Sequence, residues 1–298
     1  MSLDARPNSD QPLLGIILMC LSYLMFAVLD SGAKWLVLAG ISVLQVSLVR
    51  YAGHFLISML LIGRGGMTLS RFRTRRPFLV VLRGALLTLT TVLNFMALEY
   101  LPLTLTSTIM FSSPVIVCAL SGVFLGERVG IWRWSAIAAG FLGILLAVRP
   151  FGAEFHPAVF LSLANVTLFA FYTLLTRKLA GVVATQTLQF YAGLVGTVGL
   201  LPFGLTVWQS PTSGMEWLVL MLTPVFGWLG HECITRAHGF AEASLLTPYS
   251  YSFIIWMTLS NYLVFNQPPD QWTLLGAAVV IAAGLVIWFR ERGRLVRP

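Results

Sequence analysis

Apolar residues run along this chain in ten blocks, at about 13–36, 42–62, 78–98, 103–125, 131–148, 157–176, 185–206, 216–236, 242–264 and 271–290, closed by proline, glycine or charge. A helix needs about 20 residues to cross a hydrocarbon core about 30 Å thick, and each block is of that order. Polar and apolar positions do not alternate within the blocks as the strands of a membrane barrel require. In lipid only helices and closed barrels satisfy every backbone donor and acceptor. The pattern therefore predicts an all-α integral membrane protein with ten transmembrane helices. Composition agrees: 57% of the 298 residues are hydrophobic and 10% are charged, against about 25% charged in an ordinary soluble domain. Mean hydropathy is +0.85. This excludes a soluble globular protein and leaves no length for a separate soluble domain.

The formal charge of +8 describes topology rather than a nucleic-acid partner, because the cations fall between the apolar blocks and not along one basic face. Fifteen of the nineteen Lys and Arg residues lie in the two tails and in the loops after even-numbered helices. Only Lys34 and Arg149 lie on the opposite side, and Arg50 and Arg83 fall within helices. The positive-inside rule then places both termini in the cytoplasm. The first apolar run is too long for a removed signal peptide and reads as a retained helix. Cys20, Cys118 and Cys233 lie inside apolar stretches without C-x-x-C spacing and read as free thiols.

A weak internal repeat appears at an offset of about 140 residues, which aligns Ala97 with Ala237, Tyr100 with Phe240, Phe111 with Tyr251, Leu125 with Phe265 and Trp132 with Trp272. It divides the chain into five-helix repeats at 13–148 and 157–290, with short tails at 1–12 and 291–298. Five crossings per repeat oblige the second to insert upside down.

Ala97, Leu98, Tyr100 and Pro102 at the turn from the third helix to the fourth resemble the drug/metabolite transporter superfamily, in its ten-helix bacterial EamA-type branch. Pro114, the Leu125-Gly126-Glu127-Arg128 run, Gly140 and Gly143 extend the resemblance over essentially the whole chain, and Arg50 fits it. Ile254 and Gln267 stand where Pro114 and Glu127 would repeat, so the acid has no symmetric counterpart. The resemblance implies an inner-membrane secondary transporter working by alternating access. The aromatic-rich helices look most like the amino-acid exporters, including the aromatic amino-acid group. Its substrates are then amino acids over a broad range that includes apolar and aromatic ones. Export of drugs or other small metabolites is the alternative. A membrane-embedded enzyme acting on lipid-linked substrates is a third reading, but it needs convergent acids, histidines or a metal set, which this sequence does not show. No P-loop is present, His231-Glu232 lacks the second histidine of a zinc protease because Thr235 stands there, and no catalytic, metal or cofactor site is expected. The expected partners are a small-molecule substrate and the lipid bilayer.

Ionisable residues inside membrane helices are costly and need a partner or a function. Asp30 and Arg50 are each ten residues from the turn at Gly40 and so lie at similar depth. Together they form either a lock between two helices or a coupling pair. His54, one turn after Arg50, is a helix-to-helix hydrogen bonder or a proton relay. Arg83 is expected to snorkel to the cytoplasmic surface. Glu232 either pairs with Arg236 at i+4 or titrates in a cavity. Stripes at helical spacing mark Tyr23 and Phe26; Asn94 beside Thr91; Asn165, Phe169 and Tyr172; Trp228 and His231; and Tyr251 with Ser244 and Thr247 as the lining of one central cavity. Pro114 and Pro248 are expected helix kinks beside it, and Leu200 is expected to face lipid.

Cysteines placed at Ser2 or at Pro298 should resist membrane-impermeant thiol reagents in whole cells and react after permeabilisation. Labelling of either end in intact cells would overturn the cytoplasmic assignment.

Overall fold

The computed structural model describes residues 12–64, 74, 76–113, 116, 120, 131–149, 155–179, 182–240 and 246–295. Its α-helices are α1 (Pro12–Leu38), α2 (Val43–Arg64), α3 (Pro77–Tyr100), α4 (Leu103–Met110), α5 (Ile131–Val148), α6 (Val159–Leu179), α7 (Thr185–Thr206), α8 (Gly214–Phe240), α9 (Ser252–Phe265) and α10 (Gln271–Leu295). One helix thus stands in each apolar block, and no strand occurs among the described residues. Six are long and apolar enough to cross a membrane: α1, α2, α3, α6, α7 and α8. Trp134–Val148 and Gln271–Val286 form shorter apolar helices.

Local chemistry sets the helix ends. Pro77 occupies the first turn of α3, where its missing N–H costs nothing. Pro102 ends that helix by forcing Leu101 into an extended conformation, φ −105° and ψ 149°. Two expected boundaries change. The block at 103–125 does not run as one uninterrupted helix: α4 stops at Met110, and a turn follows at Phe111–Ser112. Here hydroxyl groups compete for backbone carbonyls, with Ser112 donating both Oγ–H and N–H to Ile109 O at 2.6 and 3.0 Å. In the ninth block, Thr247–Tyr251 winds as a 3₁₀-helix that contains Pro248, and the α-helix begins only at Ser252. Pro114, Ser244, Cys118 and the Leu125-Gly126-Glu127-Arg128 run lie outside the described residues.

The helices pack into two compact units that interleave the sequence repeats. The first comprises Met1–Ser31, Pro102–His156 and Leu229–Pro298, and the second Gly32–Leu101 and Pro157–Trp228. Each draws on both halves of the chain, and α1 and α8 each contribute a segment to both.

In the second unit α2 lies antiparallel against α7 along a line of glycines. A Cβ at Gly193 would meet the Phe55 backbone at 2.8 Å, one at Gly196 the Tyr51 ring at 2.4 Å, and one at Gly204 the Leu48 side chain at 2.8 Å. Only a missing side chain allows this approach. The Gln45 amide braces the same pair of helices: its Nε2 donates to Gln209 O at 2.8 Å, and its Oε1 accepts from Gln209 N at 2.9 Å. Leu200 does not face outward as expected; it is buried with Leu48 and Tyr51, because the α7 glycines bring that face onto α2. Val198, 62% exposed, lies on the outer side.

In the first unit α5 packs on α10 at Gly143 and Gly276, where a Cβ on Gly276 would lie 2.5 Å from Gly143 O and 2.7 Å from Ala147 Cβ. Asp270 caps α10, accepting from the N–H groups of Trp272 and Thr273 at 2.9 and 3.0 Å. It also pairs with Arg149 at the end of α5, at 3.4 Å. Asn261 ties α9 to the start of α4, accepting from Leu103 N at 3.0 Å and donating to Gln267 O at 2.8 Å.

Gly276→Val should cost about 1–3 kcal/mol through overpacking. Gly199→Ala, whose new Cβ meets nothing within 4 Å, should be neutral or stabilising. Thermal unfolding of the purified variants in detergent checks the pair, and equal midpoints would refute the close α5–α10 approach.

Candidate functional site

The nine residues expected to line a cavity separate into groups, each held within one unit. In the first unit Tyr23 and Phe26 on α1, His231 on α8 and Tyr251 in the 3₁₀ turn come together. Tyr23 meets Phe26 edge-on at 6.3 Å between centroids, and Phe26 meets His231 at 5.1 Å. Two further rings, Phe111 after α4 and Phe253 on α9, complete the cluster: Phe111 lies 5.0 Å from Tyr251, 6.0 Å from Phe253 and 6.5 Å from Tyr23, and Tyr23 lies 5.7 Å from Phe253. Sequence stripes missed Phe111 and Phe253, although a signal existed. Phe111 and Tyr251 are partners in the 140-residue repeat, and symmetry-related positions that meet in space are candidates for the centre of a repeat architecture. The α1–α8 contact that seats this cluster is fixed by Ser22, which donates to Gly230 O at 2.8 Å, and by Phe26 lying over Gly230, where a Cβ would be 2.5 Å from the ring.

In the second unit Asn94 on α3 and Asn165, Phe169 and Tyr172 on α6 share one seam. Asn165 Nδ2 donates to Asn94 Oδ1 at 3.4 Å, and the Phe169 and Tyr172 rings are 5.5 Å apart. Trp228 is the last residue of this unit and is half-buried.

Two guanidinium groups extend the seam. Arg83 was expected to snorkel, yet it is buried, 6% exposed. Its Nε donates to Thr176 Oγ1 at 2.9 Å, its Nη2 to Tyr172 Oη at 2.7 Å and its Nη1 to Leu188 O at 3.3 Å, and the group lies over the Tyr172 ring at 4.7 Å. Acceptors from α6 and α7 capture the side chain before it reaches a surface. Arg50, 8% exposed, donates from Nη1 to Thr91 Oγ1 at 2.6 Å and lies over Tyr51 at 5.0 Å and Phe95 at 6.0 Å. Tyr51 Oη donates to Leu87 O at 2.7 Å, which locks this corner to α3. His54 is buried one turn further along α2. Asp30 is buried on the α1 segment of the first unit. Lys34, one turn further along α1 and in the second unit, donates to Leu101 O at 2.7 Å.

Glu232 takes the paired form: Arg236 Nε donates to its Oε1 at 2.8 Å, with the side chains 33% and 65% exposed. Solvated i,i+4 pairs of this kind contribute little. Among the described residues no three His, Cys, Asp or Glu side chains gather in a way that would hold a metal ion.

A model of the EamA-like transporter family matches residues 13–149 and again 156–289. A riboflavin transporter of Vibrio cholerae is 29% identical over 96% of this chain and 97% of its own length. An S-adenosylmethionine uptake transporter of Rickettsia felis is 29% identical over 76% of each chain, and a pseudopaline exporter of Pseudomonas aeruginosa is 26% identical over 94% and 97%. A crystal structure at 17% identity superposes with a TM-score of 0.64 over 96% of this chain and 99% of that one, which is a likeness of fold.

Glu232→Gln is expected to change stability by less than about 1 kcal/mol and to leave the pH profile of activity in place. A displaced profile would assign Glu232 a titrating role.

Proposed function

The chain belongs to the EamA-like transporter family, and from that premise we propose that it moves small amphipathic metabolites, amino acids with apolar or aromatic side chains among them, across the bacterial inner membrane by alternating access. That the molecule is a multi-pass membrane transporter of this type follows from the family. The finer reading rests chiefly on the six-ring cluster of Tyr23, Phe26, Phe111, His231, Tyr251 and Phe253. Aromatic faces bind apolar and π-rich groups with little ordering cost, while tyrosine and histidine add polar tips at the edges. Clusters of this kind suit planar or aromatic ligands better than compact, highly charged ones. Both termini are taken as cytoplasmic.

The second reading widens the substrate beyond amino acids. Relatives are named for S-adenosylmethionine, riboflavin and pseudopaline. They include an uptake protein and an exporter.

Purified protein in liposomes should accumulate at least one of phenylalanine, S-adenosylmethionine or riboflavin without altering it covalently, assayed with and without an imposed proton gradient. Phe111→Ala and Phe253→Ala should change the flux ratio between probes by about three- to tenfold, whereas Val198→Ala should not. Covalent product in place of flux, or unchanged ratios in both ring variants, would defeat this reading.

A further inference from the structure

The hydroxyl of Tyr251 occupies the place where a side chain of α10 would stand. A Cβ on Gly284 would overlap Tyr251 Oη and lie 3.0 Å from its Cζ. Gly284 is buried and belongs, like the ring cluster, to the first unit. Phe26 is seated on Gly230 in a related way, but there the contact is the edge of an apolar ring. At Gly284 it is the polar tip of a tyrosine, so the notch fits one atom that phenylalanine lacks.

The internal repeat carries a matched difference at these positions. The 140-residue offset that pairs Tyr251 with Phe111 also pairs Gly284 with Ile144 on α5. The half with the ring hydroxyl has no side chain on its fifth helix, and the half without the hydroxyl has a buried isoleucine there. Tyr251 also has little freedom to withdraw. It closes the 3₁₀ turn and immediately precedes α9, with φ −65° and ψ −11°, so crowding at its tip falls on the side-chain torsions. Its ring lies 5.0 Å from Phe111, which in turn lies 6.0 Å from Phe253 and 6.5 Å from Tyr23. In a close-packed interior a forced change of one ring is passed to those it touches.

We infer that Gly284 is a specificity-determining position of the ring cluster: as a positioning residue acting through the Tyr251 hydroxyl, it sets the pose in which Tyr251 and Phe111 meet a planar or aromatic substrate. The inference rests on the transporter reading above and narrows it to one notch in α10. Aromatic contacts depend on the offset and tilt of the rings, so a displaced Tyr251 alters the preference among flat ligands of different size.

The test uses the full-length protein in liposomes with phenylalanine, S-adenosylmethionine and riboflavin as probes. It reads the flux ratio between carried probes, or the KM where one probe alone is carried, beside the thermal midpoint in detergent. Gly284→Ala should change that ratio or KM about three- to tenfold in the wild-type background and less than about twofold in the Tyr251→Phe background, where no hydroxyl is left to overlap the new Cβ. Gly276→Ala, on the same helix but against α5, should lower the midpoint and leave the ratio in place. A purely structural role for Gly284 predicts no such rescue. Equal effects of Gly284→Ala in both backgrounds, an equal ratio change from Gly276→Ala, or an unchanged ratio with flux intact overturns the inference while the transporter reading stands. Absence of wild-type flux for every probe overturns both. If Gly284→Ala does not accumulate as folded protein, Gly284→Val in the Tyr251→Phe background, whose larger side chain reaches the ring itself, should change the ratio at least about threefold relative to Tyr251→Phe alone. An unchanged ratio there overturns the inference.

Discussion

A polar side chain inside a hydrocarbon layer has no water to fall back on, so each must find its partner on its own helix or on the next one. That constraint selects the helix pairings seen here. Gln45 binds both backbone groups of Gln209, Ser22 reaches the Gly230 carbonyl, Lys34 the Leu101 carbonyl, and Asn261 the Leu103 amide. Each contact joins segments far apart in sequence, and breaking it would leave a buried group unsatisfied, at a cost of about 1–3 kcal/mol. Hydrophobic burial cannot supply this selectivity, because lipid tails are as apolar as leucine.

Glycine makes those polar contacts possible. The 2.8 Å bond from the short Ser22 side chain to Gly230 O demands closely spaced axes, which the missing side chain at Gly230 allows; the α2–α7 and α5–α10 pairs approach in the same way at Gly193, Gly196, Gly204, Gly143 and Gly276. The same approach turns Leu200 inward. Packing and polar satisfaction are therefore one requirement. A residue larger than glycine at the seam would open the axes and lengthen the bonds that select the pairing.

The two units divide the chemistry. The first holds the six-ring cluster, drawn from α1, α8, the segment after α4, the 3₁₀ turn and α9. The second holds Arg50, Arg83, Asn94 and Asn165 along α2, α3 and α6, beside the rings of Tyr51, Phe95, Phe169 and Tyr172.

Much of this was legible in the chain. The ten helices and the membrane setting follow from the length of the apolar blocks and the low charge, since crossing a bilayer is a requirement on local sequence alone. Tyr23, Phe26, Phe169, Tyr172 and Tyr251 could be singled out because helical spacing puts like residues on one face. Helical periodicity states which residues share a face, but it is silent on what that face meets. The split of those stripes between two units, the addition of Phe111 and Phe253, and the inward turn of Leu200 were decided by contacts between segments far apart in sequence, from Asn94 with Asn165 to Leu48 with Leu200. Arg83 shows the reason most plainly. A long side chain near a helix end can reach a surface or a neighbouring helix, and that choice belongs to Thr176, Tyr172 and Leu188, which only the folded chain brings beside it.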